Sequence, residues 1–268
     1  MISISSTQEA TRQPFEVRTV PALRPLDWVA RGWEDFKQHR GPSLIYGLLV
    51  TGMGWLIFAM TSHPYFIAAA VSGFLLIGPI LATGLCELSR RRDRGEPASF
   101  DASLEGLTRN RGAMLDFAGA LIGIGLIWYI LSGFILRLAL GNVAPEIGMT
   151  LWDNALAKLT LGQVVAYFAV GGALASLVLA LALVSVPLIL DRHATADAAM
   201  RTSVRATVAN LPAVLVWGAL LVGLIALGFA TLLVGMLVIY PLLGHATWHA
   251  YRDLVAPGSR RLDRKSVV

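Results

Sequence analysis

One cysteine, Cys86, is present in 268 residues. That excludes an internal disulfide framework and any CxxC redox or zinc pattern. Charge is also scarce. Asp, Glu, Lys and Arg supply 15% of the chain, against about a quarter in soluble domains. The motifs of common catalysts are missing as well: no GxSxG elbow, no HExxH, no GxxxxGK[ST] loop and no GxGxxG after a strand. The first forty residues have no apolar core. They carry Arg12, Glu16, Arg18, Arg24, Asp27, Arg31, Glu34, Asp35 and Lys37, so no cleavable signal peptide is expected and the N-terminus should stay cytosolic.

Hydrophobic residues, 56% of the total, fill the space that charge leaves. They gather into runs at 43–60, 65–86, 113–140, 161–190, 212–227 and 230–249. A helix of about twenty apolar residues crosses a bilayer, and the last stretch, from Leu211 to about Trp248, is too long for one crossing, so it divides near Gly228. The expectation is an all-α polytopic membrane protein, with six transmembrane helices arranged as three kinked hairpins. Residues 1–20 are expected to be a flexible cytoplasmic N-terminus, 21–255 a single six-span membrane domain, and 256–268 a basic cytoplasmic tail.

The formal charge of +5 could suggest nucleic acid, but its distribution argues otherwise. All 22 lysines and arginines except Arg137 and Lys158 lie in segments that an even number of crossings puts on one side. This is the positive-inside pattern, and it places both termini in the cytoplasm. Amphipathic stretches precede each hairpin. Leu26, Val29, Trp33 and Phe36 recur at helical spacing, as do Phe100, Leu104 and Leu107 behind a capping Ser99, and Met200, Val204 and Val208 beside Arg201 and Arg205. Such helices suit an anionic leaflet, so cytoplasmic-side membrane lipids are the expected partners. The same segments also suit a packed collar on the bundle.

Candidate sites are few. No predicted span has an ionisable residue in its central part: Asp116, Arg137, Glu87 and Asp191 lie near predicted ends. That argues against an ion-coupled pump. Pro79, Pro187 and Pro241 each fall late in the second helix of a hairpin and should kink it, freeing the carbonyls of Leu75, Leu183 and Leu237. Gly119 and Gly123 form a GxxxG pair that permits close helix contact. His245 and His249, four residues apart, share a helix face and could grip a metal or a haem. A third ligand would have to come from His193, Asp191, Glu87 or Cys86. The competing reading is a helix end in which these histidines, beside Trp248 and Tyr251, bond to loop groups at the headgroup level.

Several segments resemble a known family. They are Gly32-Trp33-Glu34-Asp35, Ser43 to Gly47, Gly78-Pro79 through Arg90, Pro187 to Arg192 with Ala199, Met200 and Ser203, and Gly244 to Arg252. Together they resemble the domain of unknown function numbered 2189, uncharacterised bacterial integral membrane proteins, over about 20–255. The resemblance implies a multi-pass inner-membrane protein and supplies no activity. A catalytic oxidase subunit needs several intramembrane histidines for its haems and copper. The chain has five, of which His39, His63 and His193 fall outside the spans. The reading from sequence is therefore a non-enzymatic structural, assembly or accessory protein with no cofactor, working with a membrane-protein partner, such as a respiratory complex. A facilitator of a small neutral or amphiphilic solute is the alternative, followed by a metal- or haem-binding protein.

Overall fold

The computed structural model describes residues 14–60, 64–140 and 160–257, and all the regular structure among them is helical. In chain order the helices are α1 (Arg24–Gln38), α2 (Arg40–Met60), α3 (Pro64–Arg94), α4 (Phe100–Arg109), α5 (Arg111–Leu140), α6 (Leu161–Ala182), α7 (Ser185–Arg192), α8 (Ala196–Ala209), α9 (Leu211–Ala230) and α10 (Met236–Leu254).

The three amphipathic stretches are α1, α4 and α8. Helix α1 starts with Pro25 in its first turn, where a missing N–H costs nothing, and buries Trp28, Gly32, Asp35 and Phe36 on one side. Ser99 caps α4 by accepting from the Ala102 N–H at 3.1 Å. Thr195 caps α8 in the same way through the Ala198 N–H at 3.3 Å.

Contacts between long helices fix their directions. Ser43 meets His245, and Thr51 meets the Leu233 carbonyl, so α2 and α10 run antiparallel. Along α3, Gly78 meets Tyr240 and Asp93 meets Trp248, so α3 and α10 run parallel. Consequently the charged ends of α2, α3, α7 and α10 come together with α1, α4 and α8 at one end of the bundle. Away from that end the helices turn large apolar side chains outward: Leu48 and Leu56 on α2, Ile122 and Ile130 on α5, Leu215 and Val222 on α9. An apolar surface of this extent belongs against lipid. Among the described residues, three segments are long and apolar enough to cross a membrane: Arg111–Leu131, Ala169–Arg192 and Leu211–Ala230.

Three expectations change. The run 161–190 is not one helix kinked by Pro187. It breaks at Leu183 and Val184, and Pro187 lies in the first turn of α7, which the proline can start without losing a hydrogen bond. The division expected near Gly228 falls at 231–235, where Leu232 and Leu233 take left-handed backbone conformations. Gly119 and Gly123 have no neighbour close enough to meet an added Cβ, so their GxxxG face serves no helix contact within the described chain. Pro79 and Pro241 do lie inside their helices as expected.

The close helix contacts come from other glycines. A Cβ on Gly32 would sit 2.8 Å from the Ala246 backbone nitrogen, so α1 and α10 touch backbone to backbone. Gly47 bears on Leu237, Gly84 on the Tyr46 hydroxyl and Gly244 on Leu85. Helix α10 is the axis of this packing, in contact with α1, α2, α3, α7 and α9.

Residues 14–20, expected to belong to a flexible N-terminal segment, form a strap along the charged end. Arg18 N–H donates to the Leu254 carbonyl at 2.8 Å, and Ala256 N–H to the Glu16 carbonyl at 3.0 Å. Asn210 holds the strap from the other side, accepting from Val20 N–H at 2.8 Å and donating to the Arg18 carbonyl at 3.0 Å.

Candidate functional site

The polar groups of the bundle concentrate where α1, α2, α3 and α10 meet. His245 is fully buried. Its Nε2 lies 2.9 Å from the Ser43 hydroxyl and its Nδ1 2.8 Å from the Ser89 hydroxyl. In the neutral ring one nitrogen donates and the other accepts, so His245 is donor to one serine and acceptor from the other. The imidazole thereby links α2 to α3.

Asp35 collects donors as well. The Nε2 of His249 lies 3.0 Å from one carboxylate oxygen, and Arg92 pairs with the other. The backbone carbonyl of Asp35 meets the His39 ring at 3.2 Å. His249 thus meets the buried carboxylate itself, and His39 the backbone of the same residue. Burial alone pushes the Asp35 carboxyl up. The hydrogen bond with His249, helped by the nearby Ser89 hydroxyl, outweighs burial and holds it at about 2.

Other carboxylates are clamped likewise. Glu87, fully buried, accepts from Arg90 at 2.7 Å and 2.6 Å, from Arg91 at 2.9 Å and from Arg109 at 3.0 Å. Asp191 accepts from Tyr251 at 2.7 Å and Arg94 at 2.8 Å. Asp93 accepts from the Trp248 indole at 2.9 Å. Asp253 accepts from Arg24 at 2.7 Å, Arg31 at 2.5 Å and the Trp28 indole at 2.9 Å. Burial pushes the Asp253 carboxyl up, but the hydrogen bonds from Arg24, Arg31 and Trp28 prevail and hold it below the usual carboxylate range. Each cluster joins two or more helices, with α10 in most of them.

His245 and His249 therefore lie in one polar layer but address different partners: serines on α2 and α3 for His245, a carboxylate on α1 for His249. Both ring nitrogens of His245 are already engaged. Among the described residues no group of three or more His, Cys, Asp or Glu is placed to share a metal ion. Of the suggested third ligands, Cys86 points its thiol at the Gly244 carbonyl at 3.6 Å, and Glu87 and Asp191 are held by arginines. His193 is exposed at the end of α7. What the arrangement does chemically is to join helices through charge-assisted hydrogen bonds. The sequence reading singled out neither Asp35 nor the two serines as a site. The available signal was that all three, like the histidines, lie in segments that carry the family resemblance.

Part of this charged end resembles a known family in sequence. Residues 66–191 match the DUF2189 family, described as a predicted integral membrane protein. The DUF2189 match begins in the first turn of α3 and ends in α7, so it takes in Ser89, Glu87, Arg92 and Asp191. Asp35, Ser43, His245 and His249 lie outside it. No curated protein and no solved structure matches the chain significantly.

Proposed function

We propose that this chain is a multi-pass protein of the bacterial inner membrane with a non-enzymatic structural, assembly or accessory role. Its three hairpins enter the bilayer from the charged, cytoplasmic side, where both termini lie. One observation carries the reading. The groups with chemical potential, His245, His249, Asp35 and Glu87, are all consumed in bonds that tie helix to helix. A site built for turnover leaves a functional group facing a space that substrate can enter. Ser43, Ser89 and His245, whose hydroxyl–imidazole pairs resemble a nucleophile and its base, are all fully buried.

The outer faces of the collar support the lipid contact. Helix α1 keeps Leu26 and Trp33 exposed while its inner face packs on α10, and α2 keeps Leu44, Ile45 and Leu48 exposed. Arg40, exposed at the start of α2, suits anionic headgroups. Purification from native membranes in mild detergent, with an absorbance spectrum and identification of co-purifying proteins, tests the accessory role. A stable membrane-protein partner and no Soret band is the expected result. Solute flux into liposomes that requires the intact bundle would replace this reading with the facilitator.

A further inference from the structure

Measured from the charged end, hairpin α9–α10 turns before α2 ends: α2 continues to Met60, past the level of the tip at Trp55. Ser43 and His245 mark the top of the polar layer, 2.9 Å apart. At the other end, the Trp55 indole donates to the Leu232 carbonyl at 3.0 Å, at the tip of the hairpin. Between these two pins α2 climbs about 18 Å at 1.5 Å per residue, and any tilt of α2 lowers that height. Hydrocarbon is about 30 Å thick. Helix α9 is long enough by count, but its first turns are spent below the pins: Asn210 holds the strap, and Trp217 packs on Trp28 with ring centroids 5.8 Å apart. Exposed Glu34 and Lys37 just beneath Ser43 keep the layer itself out of hydrocarbon.

The tip has the chemistry of a segment that never meets water. Every backbone N–H from Thr231 to Ile239 is hydrogen-bonded within the hairpin, that of Gly235 to the Thr231 hydroxyl at 2.8 Å. The carbonyls of Thr231 to Gly235 all accept as well, the one on Leu232 from Trp55. The Thr231 hydroxyl is spent on the Gly228 carbonyl at 2.9 Å. No charged residue occurs between Arg205 and Arg252. Phe229, Leu232 and Val234, each more than half exposed, form the outer surface of the tip. In water such a turn would gain from polar residues and free backbone groups. In hydrocarbon each unsatisfied group costs several kcal/mol, which favours internal bonding as extensive as that of residues 231–235. By contrast, the sequences joining the other hairpins are polar: Thr61-Ser62-His63, and a segment carrying Glu146, Asp153 and Lys158.

We infer that α9–α10 is a half-depth hairpin, which enters from the charged side, turns among lipid acyl chains and returns without reaching the far surface. The inference rests on the membrane reading above, and it replaces six crossings with four plus one re-entrant pair. Both termini stay on the charged side, so the distribution of arginines is equally satisfied.

The test uses the full chain in proteoliposomes with Cys86→Ala as background. Single thiols are introduced by Val234→Cys at the tip and Ser62→Cys in the first linker. Phe229→Cys repeats the tip measurement should Val234→Cys fold poorly. In vesicles opened to expose both faces, a membrane-impermeant maleimide should modify Ser62→Cys at least about ten-fold faster than Val234→Cys, the difference vanishing in detergent. A fluorophore on Val234→Cys should be quenched most by lipids spin-labelled in mid-chain. Ready modification of the tip thiol without detergent, from either face, would overturn the half-depth hairpin. If spin-labelled lipids quenched neither position, the membrane reading itself would fall, and the hairpin with it.

Discussion

Gly47 of α2 bears directly on the backbone of Leu237, whose carbonyl is the one that Pro241 leaves without its helical donor. A proline kink and a glycine face each other across the α2–α10 contact. The kink exposes a backbone carbonyl, and the absent Cβ lets another backbone approach it.

Gly47→Ala should therefore destabilise the protein by about 1–3 kcal/mol, because the added methyl meets backbone that cannot yield. Gly52→Ala is the control. Position 52 of the same helix is open, and there alanine should be neutral or gain up to about 1 kcal/mol from helix propensity. Thermal unfolding of both variants in one detergent checks the contrast.

Asp35 gives a pH dependence of definite sign. Its carboxyl is held at about 2 in the folded protein, against an ordinary 3.8. The stability it contributes is fully present above the ordinary value and is lost as pH falls through about 4 toward 2. The amount is about 2 kcal/mol by linkage. Acid unfolding followed by tryptophan fluorescence should show this limb, and Asp35→Asn should shrink it, the remainder coming from Glu87 and Asp253, whose carboxyls are also held low. At neutral pH Asp35→Asn should cost about 3 kcal/mol, since Arg92 is left without its buried counter-charge.

At the hairpin tip, Leu232 holds a left-handed backbone at φ 54° with its side chain exposed. Leu232→Gly should stabilise by about 1 kcal/mol, the strain that a leucine carries in that region. Leu233→Gly should not, because Leu233 is buried and the lost packing offsets the relief. Comparing the two melting temperatures separates strain from packing.

Asn210→Ala should release the strap. The side chain bonds at once to Val20, Arg18 and the Ala206 carbonyl, and none of these can be replaced by a methyl. A loss of about 2 kcal/mol is expected. Limited proteolysis should cut near Thr19 much faster than in the parent while leaving the helices intact.

The helices and their charged end could be read from sequence because both follow from local pattern. Twenty apolar residues write a buried helix, and arginines at Arg90 to Arg94 and Arg252 write its end. Partnership is a different matter. His245 and His249 share a face by spacing, yet one meets serines on two helices and the other a carboxylate on a third, and no local rule links position 35 to position 249. Pro187 looked like Pro79 and Pro241 in the chain. Its role differs because the break at Leu183 and Val184 precedes it, which turns a kink into a helix start. The height of the third hairpin escaped for a related reason. Counting apolar residues from Leu211 measures length, whereas depth depends on where Trp217 and Asn210 are anchored.

The place of α10 in the chain has a consequence for biosynthesis. The helix that touches α1, α2, α3, α7 and α9 is translated after all of them. Until it leaves the ribosome, Ser43, Ser89, Asp35 and Asp93 wait without the imidazole and indole partners that complete their hydrogen bonds. The earlier helices thus remain an open, unlatched intermediate through most of synthesis, and a chain truncated before Met236 would display that unpaired polar surface to the quality-control machinery.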